Sequence, residues 1–141
     1  EGYERHPENC TPVQADVGDL KWCDTLIFVY PTWWYGQPAM LKGWLEKTMV
    51  PGVAFDFDAR GRVRPALHNV QRVVGVTTYG SPRWKMTLVG DGGRRTLLRA
   101  LRMNIPHRVD RVWLGMHSLD ASTSEQRAAF AERVDQRLRT L

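Results

Sequence analysis

Short apolar runs alternate with segments of helical periodicity along this chain. Residues 26–30 are all apolar or aromatic, residues 73–76 are the apolar centre of the segment 72–78, and a third run lies within 108–119. Runs of this length without polar alternation are typical of parallel strands that are covered on both faces. Apolar residues recur at helical spacing in four other segments, at approximately 12–22, 38–48, 94–105 and 123–138. The alternation predicts an α/β sheet of parallel strands joined by right-handed crossovers.

The first two strands are each followed by a loop that carries aromatic residues. Pro31 is expected to end the first strand, because proline has no N–H for a β-ladder, and Pro38 restarts the chain as a helix. The loop between these prolines reads TWWYGQ, and the second strand is followed by residues 79–84, YGSPRW. Ligands of open α/β sheets bind at the carboxyl ends of the strands. The two loops are therefore candidate ligand-binding loops.

The aromatic residues of the first loop also have a purely structural interpretation. Trp33, Trp34 and Tyr35 could pack the loop onto its own core, and this alternative stays open. In the following helix, apolar residues share one stripe, which predicts a face directed to the core. The stripe consists of Met40, Leu41, Trp44 and Leu45, of which we expect Trp44 and Leu45 to be core residues.

The charge of the chain is clearly basic. Lys and Arg number 20 against 15 Asp and Glu, which gives a net charge of +5 and a pI near 9.6. The basic residues are mostly single arginines without a nucleic-acid motif, so we do not expect nucleic acid as a partner. Attraction of a phosphorylated small molecule and a simple solvated surface remain as interpretations. Both apply to the residues that could reach a cofactor phosphate, namely Arg83, Lys85, Arg94 and Arg95.

Other features of the composition exclude several kinds of site. The four histidines are scattered and form no ligand cluster, so we expect no metal site. Cys10 and Cys23 have no metal or redox spacing, which favours reduced thiols of a cytoplasmic protein. No apolar run approaches the ~20 residues that a membrane span needs, and no signal-peptide pattern opens the chain.

Two motifs carry a resemblance to a known family. The segment YPTWWYGQPAMLKGWLEK and the shorter segment TTYG resemble the motifs after the third and fourth strands of flavodoxin-fold NAD(P)H:quinone oxidoreductases, the DT-diaphorase and modulator-of-drug-activity-B type. The resemblance implies a three-layer α/β/α fold with a parallel sheet, in one flavodoxin-like domain over residues 1–141. The three strands would be strands 3, 4 and 5 of a 2-1-3-4-5 order.

The same resemblance leaves a part of the fold without candidates in this sequence. We find no candidate in the 141 residues for the first two strands, nor for the loop that holds the flavin phosphate tail in this family. We therefore expect an amino-terminally truncated or incompletely represented chain, in which the first strand has an open apolar edge. Such an edge invites pairing or aggregation.

The resemblance implies a non-covalent FAD or FMN cofactor, NAD(P)H as co-substrate, a quinone-like acceptor and a homodimer. It assigns no catalytic residue, because the Tyr and His that assist charge transfer in the family have no counterpart in SPRWKMTLVGDGG. Trp84 would take the packing role of that Tyr, and Tyr79 replaces a Gly and would narrow the acceptor pocket. The residues implied to contact the cofactor are Pro31, Thr32, Trp33, Trp34, Tyr35, Gly36, Thr77, Thr78, Tyr79, Gly80 and Trp84.

Two other function classes remain open at this stage. Some relatives in the family are ancillary subunits that regulate a membrane transporter through the same fold. The chain could also be a remnant of the fold that binds no cofactor. Turnover of NADH with menadione separates the enzyme from both.

Overall fold

The computed structural model describes residues 13–106 and 108–141. Its centre is a three-stranded parallel sheet made of Thr25–Pro31 (β1), Arg72–Thr78 (β4) and Asp110–Met116 (β5). The strand order is β1-β4-β5. Ile27 of β1 lies beside Val74 of β4, which lies beside Val112 of β5. This confirms the predicted strands, their parallel direction and the flavodoxin-like order of the sheet.

Helices connect and cover these strands. The predicted segment after Gly93 is a continuous run that changes from α-helix to a π-turn at Thr96–Ala100 and to a 3₁₀ turn at Leu101–Asn104. The α-helices are Gln14–Trp22 (α1), Ala39–Thr48 (α2), Arg83–Val89 (α3), Gly92–Arg95 (α4) and Ser124–Arg139 (α5). Helix α5 begins with a capping box, in which the side chains of Thr123 and Gln126 each accept a bond from the other residue's backbone N–H.

The prediction of a loop through residue 84 was wrong, because helix α3 begins at Arg83. Pro82 precedes its first residue, and Gly90 ends it in the left-handed conformation with a φ of 96°. Both are ordinary boundary signals. At only seven residues, the helix is too short to show clear periodicity.

The two faces of the sheet bury separate cores. On one face, Leu26, Phe28 and Tyr30 of β1 pack with Leu97 and Leu101 of the π and 3₁₀ turns. On the other face, Val74, Val76 and Val112 are covered by helix α5 through its apolar residues Phe130, Val134 and Leu138. As predicted, Leu45 is buried and Trp44 packs on Phe28, with ring centroids 6.1 Å apart.

The prediction that β1 is covered on both faces was wrong. Ile27 and Val29 share the face of Val74 and Val76, but helix α5 does not extend over them, and Val29 is 73% exposed. Strand β1 is also an edge strand of the described sheet. Pro31 remains within it, because the position that lacks an N–H faces the free edge.

Met40, at the start of α2, is 88% exposed and does not join the core. Its prediction as a core-stripe residue was therefore wrong. Pro38 lies at the cap, and the first turn of the helix projects beyond the sheet core, so helical spacing alone did not decide its burial.

A small hairpin stands apart from the main sheet. Turn residues between 58 and 65 favour a surface loop or a short hairpin at most, and the structure contains antiparallel strands Phe55–Phe57 (β2) and Val63–Pro65 (β3). Asp58 closes the turn by accepting bonds from Arg62 and Arg64 at 3.0 and 2.8 Å. Hydrogen bonds, first from the Arg62 backbone, lower the pKa of this carboxyl group.

Candidate functional site

The two aromatic loops begin side by side at the carboxyl edge of the sheet. The backbone N–H of Thr32 donates to the Thr78 carbonyl at 2.8 Å, which extends the pairing of β1 and β4 by one residue. The hydroxyl groups of Thr32 and Thr77 bond each other at 2.9 Å, and Thr77 is almost completely buried. These two contacts fix the distance between the starts of the loops.

The first loop is a tight turn that projects aromatic rings into solvent. Trp33 and Gly36 exchange two backbone hydrogen bonds of 3.1 and 2.9 Å. The residues between them, Trp34 and Tyr35, have φ angles of 47° and 62°, which is unusual for residues other than glycine. Trp34 is 95% exposed, and Trp33 is also exposed. Packing of these two indole rings onto the core, the structural alternative, is therefore not what the structure shows.

This turn leaves hydrogen-bond donors available. Among the described residues, nothing accepts a bond from the backbone N–H of Trp34 or Tyr35. Exposed aromatic rings beside free N–H groups suit a flat ligand with a polar edge. The turn thus presents the two kinds of contact that a ring system with heteroatoms requires.

Helix α4 packs closely against the first loop and the end of β1 at its two glycines, Gly92 and Gly93. A Cβ at Gly92 would lie 3.3 Å from the Tyr35 carbonyl, and a Cβ at Gly93 would lie 2.6 Å from the Tyr30 hydroxyl oxygen. The Gln37 side chain also donates to the Gly93 carbonyl at 3.3 Å. The two glycines are therefore needed for close packing of helix and loop.

The second loop turns its aromatic residue inwards. Tyr79 is 1% exposed; its hydroxyl donates to Asp91 Oδ2 at 2.7 Å and accepts from Trp113 Nε1 at 3.1 Å. Its backbone N–H donates to the Met116 carbonyl and is not free for a ligand. The Tyr79 ring stacks on His117, with centroids 4.3 Å apart and planes 3° apart. Tyr79 thus anchors the loop within a buried polar network.

Gly80 leaves a free donor next to this anchor. Nothing among the described residues accepts a bond from its N–H. A Cβ at Gly80 would lie 2.9 Å from Asp120 Oδ2, so the missing side chain makes room for the loop after β5. In contrast, a Cβ at Gly36 would have only the Trp33 carbonyl nearby, at 3.9 Å.

Trp84 lies in the first turn of α3 and not in a loop, and its ring is exposed. Unlike Trp33 and Tyr79, it lines neither of the two cavities described below.

Sequence reasoning missed three residues of the polar network, namely Asp91, Trp113 and His117. The rule that carboxyl strand ends form sites applies equally to β5, and His117 is the residue directly after it. Burial, and secondly the charge of Arg83, lower the pKa of His117 and favour the neutral ring. Its Nδ1 is buried and has no hydrogen-bond partner among the described residues.

Two buried phenol groups, Tyr79 and Tyr30, lie in or near this network. Burial raises the pKa of Tyr79, with Asp91 adding to the effect, and also raises the pKa of Tyr30. The Tyr30 hydroxyl has no partner among the described residues. Both phenols therefore stay protonated at neutral pH.

Two cavities of similar size flank the loops. One, of about 720 Å³, is apolar and runs along β1 and the start of α2, and Trp33 is one of its lining residues. The other, of about 740 Å³, lies between α3, α4 and β5 and is lined by Tyr79, His117 and several arginines. Each cavity contains residues of only one of the two loops.

Other kinds of site find no support among residues 13–106 and 108–141. These residues contain no group of His, Cys, Asp and Glu that could hold a metal ion. They also contain no helix that is long and apolar enough to cross a membrane. Cys23 is a free thiol, and Cys10 lies outside the described residues.

Parallel strands in this order, with helices between them and a loop site at their carboxyl edge, define a flavodoxin-like α/β domain. The chain belongs to the family described as having a flavodoxin-like fold, whose family model matches residues 2–138. The fold class and the family resemblance predicted from the two motifs are thus confirmed.

Known proteins similar to the chain are mostly redox enzymes by name. The chain is 35% identical over 69 residues to NAD(P)H dehydrogenase (quinone) 1 of Rattus norvegicus, which covers 49% of this chain and 25% of that protein. The chain therefore spans about a quarter of the length of that curated relative.

Solved structures agree with the fold. Smu.1420 from Streptococcus mutans UA159 has a TM-score of 0.81 at 24% identity, covering 93% of this chain and 68% of that one. An FMN-dependent NADH-azoreductase from Bacillus anthracis, in complex with FMN, has a TM-score of 0.70 at 17% identity, covering 95% and 65%. At such identities the likeness shows the fold.

Proposed function

We propose that this chain carries the ring-binding half of the cofactor site of a flavin-dependent NAD(P)H oxidoreductase with a quinone-like acceptor. The observation that supports it best is the pair of loops joined at Thr32 and Thr78, one with exposed indole rings and both with unpartnered N–H groups. The name of the rat relative, a quinone-reducing NAD(P)H dehydrogenase, supports the same reaction class.

The residues present suit a flavin ring. A flavin ring is flat and apolar on its faces and has hydrogen-bond acceptors along one edge. Trp33 and Trp34 offer aromatic surface, and the N–H groups of Trp34, Tyr35 and Gly80 offer donors. When bound, the flavin accepts hydride from NAD(P)H and passes two electrons to the acceptor.

In this proposal the protein positions the flavin ring and polarises its edge. Donors of the two loops would stabilise the negative charge that develops on the ring edge without rearranging. Backbone hydrogen bonds already close the first turn at Trp33 and Gly36 and anchor the second loop at Tyr79. The bond between the Thr32 and Thr77 hydroxyls keeps the loops at a constant separation. The neutral His117, stacked on Tyr79, lies where a proton can be held near the second loop.

The test is a visible absorption spectrum of the purified chain before and after addition of FAD or FMN. We expect flavin bands that shift on binding, and weaker binding in Trp34→Ala. Trp22→Ala is the matched control, because Trp22 is also a highly exposed indole, on α1. Absence of any bound flavin with either cofactor would contradict the proposal. So would NADH turnover with menadione no faster than that of free flavin.

The type of flavin, the oligomeric state and the cellular location are part of the same proposal. Either FAD or FMN suits the ring site, and the FMN named for the azoreductase neighbour supports FMN. A homodimer in the cytoplasm is consistent with the exposed apolar face of β1 and with the free thiol of Cys23. Titration with each flavin, and sedimentation of the loaded protein, test these points separately.

A further inference from the structure

The second cavity is unusual in its charge. Five positive side chains line it, with a single carboxylate, in a volume of about 740 Å³. The net charge of the complete chain is only +5. Because five arginines and one aspartate line this cavity, most of the excess positive charge lies around it. The charged residues are Arg83, Arg94, Arg95, Arg99, Arg111 and Asp91.

Among the described residues, no ion pair neutralises these arginines. The ion pairs among the described residues involve Lys42, Arg62, Arg64, Arg72 and Arg139, and none of the cavity arginines. Asp91 is already engaged, because Oδ2 accepts from the Tyr79 hydroxyl and Oδ1 from the Arg94 backbone N–H. Within the part of the chain that the structure describes, several guanidinium groups thus line one cavity without an ion-pair partner, and their mutual repulsion falls when a ligand supplies negative charge.

One of the arginines is already positioned by a hydrogen bond, because the Arg111 guanidinium donates to the Leu98 carbonyl at 3.2 Å. The Arg95 guanidinium lies beside Gly90, where a Cβ would be only 3.0 Å from its Nη1. A guanidinium that is bonded before binding loses less conformational entropy when it holds an anion.

The cavity also adjoins the candidate ring site. Tyr79 and His117 form part of its wall, and Tyr79 belongs to the second loop. Guanidinium groups recognise phosphate in a bidentate manner, and a cavity of this size accommodates part of a nucleotide. A phosphorylated molecule in this cavity could therefore extend towards the loops.

We propose that the arginine-lined cavity is a phosphoryl-binding site that holds the phosphate groups of the nicotinamide dinucleotide. This rests on the proposed function for the identity of the ligand. The shared chemistry is that of a polyphosphate anion, which a free phosphate compound could also supply.

The first experiment needs no flavin and no activity. Inorganic pyrophosphate is titrated calorimetrically into the wild-type chain, Arg94→Gln/Arg99→Gln and Arg60→Gln. We expect salt-sensitive binding to the wild type, and binding weakened about tenfold or more in the double variant. Arg60→Gln removes the same type of charge from the hairpin turn, away from the cavity, and should bind like the wild type. Circular dichroism checks folding, and Arg83→Gln/Arg94→Gln is a second pair of exposed arginines should the first pair misfold.

The second experiment separates the two sources of phosphate. NAD(P)H should displace pyrophosphate from the wild-type chain. In the flavin-loaded enzyme, the double variant should raise the KM for NAD(P)H about tenfold. It should leave the KM for dihydronicotinamide riboside unchanged, because that donor has the same reducing ring but no phosphate.

Each possible failure has a distinct meaning. No pyrophosphate binding, or equal loss in Arg60→Gln, would overturn the site. Pyrophosphate binding that NAD(P)H cannot displace would overturn the assignment to the dinucleotide. Pyrophosphate displaced by NAD(P)H in a chain that never binds flavin would uphold this site and contradict the proposed function.

Discussion

At the scale of single residues, Tyr79 connects several parts of the candidate site. Its hydroxyl bridges Asp91 and Trp113, its ring stacks on His117, and its backbone closes onto the end of β5. A buried hydroxyl with both a donor and an acceptor partner is costly to remove, because both partners lose a bond. Tyr79 therefore affects stability as well as the shape of the second loop.

Tyr79→Phe should lower the free energy of unfolding by about 1–3 kcal/mol, because Asp91 Oδ2 and Trp113 Nε1 lose their partner. Urea unfolding followed by tryptophan fluorescence measures the change. Tyr35→Phe is the control, since its hydroxyl makes no bond among the described residues and its loss should cost little. Equal effects of the two substitutions would show that the hydrogen bonds of Tyr79 do not contribute to the free energy of unfolding.

His117 should titrate below its usual pKa of 6.5, foremost because of burial and then because of Arg83. In the unfolded chain the ring takes up its proton as the pH falls through about 6.5, whereas the folded chain resists until lower pH. The folded protein therefore loses stability as the pH falls below 6.5, and His117 has no such effect above it. His117→Gln should remove this part of the acid sensitivity of unfolding.

Nuclear magnetic resonance of the His117 ring protons checks the cause directly. Arg83→Gln should raise the pKa of His117 towards its usual value, because the guanidinium charge opposes protonation. Lys85→Gln, a neighbouring exposed cation on α3, serves as the control and should change the pKa of His117 much less. An unchanged value in Arg83→Gln would rule out the electrostatic contribution.

At the scale of elements, the glycine in the middle of β4 determines how β5 packs. A Cβ at Gly75 would overlap the ring of Trp113, which lies beside it in the sheet register. Trp113 in turn contacts Tyr30 edge to face and donates to Tyr79. One missing side chain thus lets a large indole connect all three strands.

Gly75→Ala should destabilise the protein by about 1–3 kcal/mol or more, because the indole must move out of a closely packed site. Gly43→Ala is the matched control in α2, where nothing lies within 4 Å of the added methyl group. That substitution should be neutral or stabilising by about 0.5–1 kcal/mol, as expected for glycine in a helix interior. Thermal unfolding of both variants measures the contrast, and similar melting temperatures would contradict it.

At the scale of the molecule, periodicity and strand-end reasoning predicted the sheet and the location of the candidate loops. The same reasoning failed where burial depends on what covers a strand. Ile27 and Val29 are apolar like their neighbours, but helix α5 covers only β4 and β5 on their face. Likewise, no local pattern shows that Tyr79 turns inwards, since its partners Asp91, Trp113 and His117 are distant in sequence.

The exposed apolar face of β1 has a consequence for the behaviour of the chain in solution. Ile27 and Val29 are exposed on it, Met40 and Trp33 continue the apolar surface, and the edge of β1 is unpaired in the described sheet. Contiguous apolar surface and an unprotected edge strand both favour association. We expect the isolated chain to self-associate as its concentration rises.

Val29→Lys should shift this association to higher concentration, because a charged side chain at the edge must be desolvated before two faces can meet. Val63→Lys is the control, since Val63 is similarly exposed but lies on the β2–β3 hairpin, away from the face. Sedimentation velocity over a range of concentrations distinguishes the variants. Association that Val63→Lys reduces as much as Val29→Lys would show that net charge, rather than the face of β1, controls it.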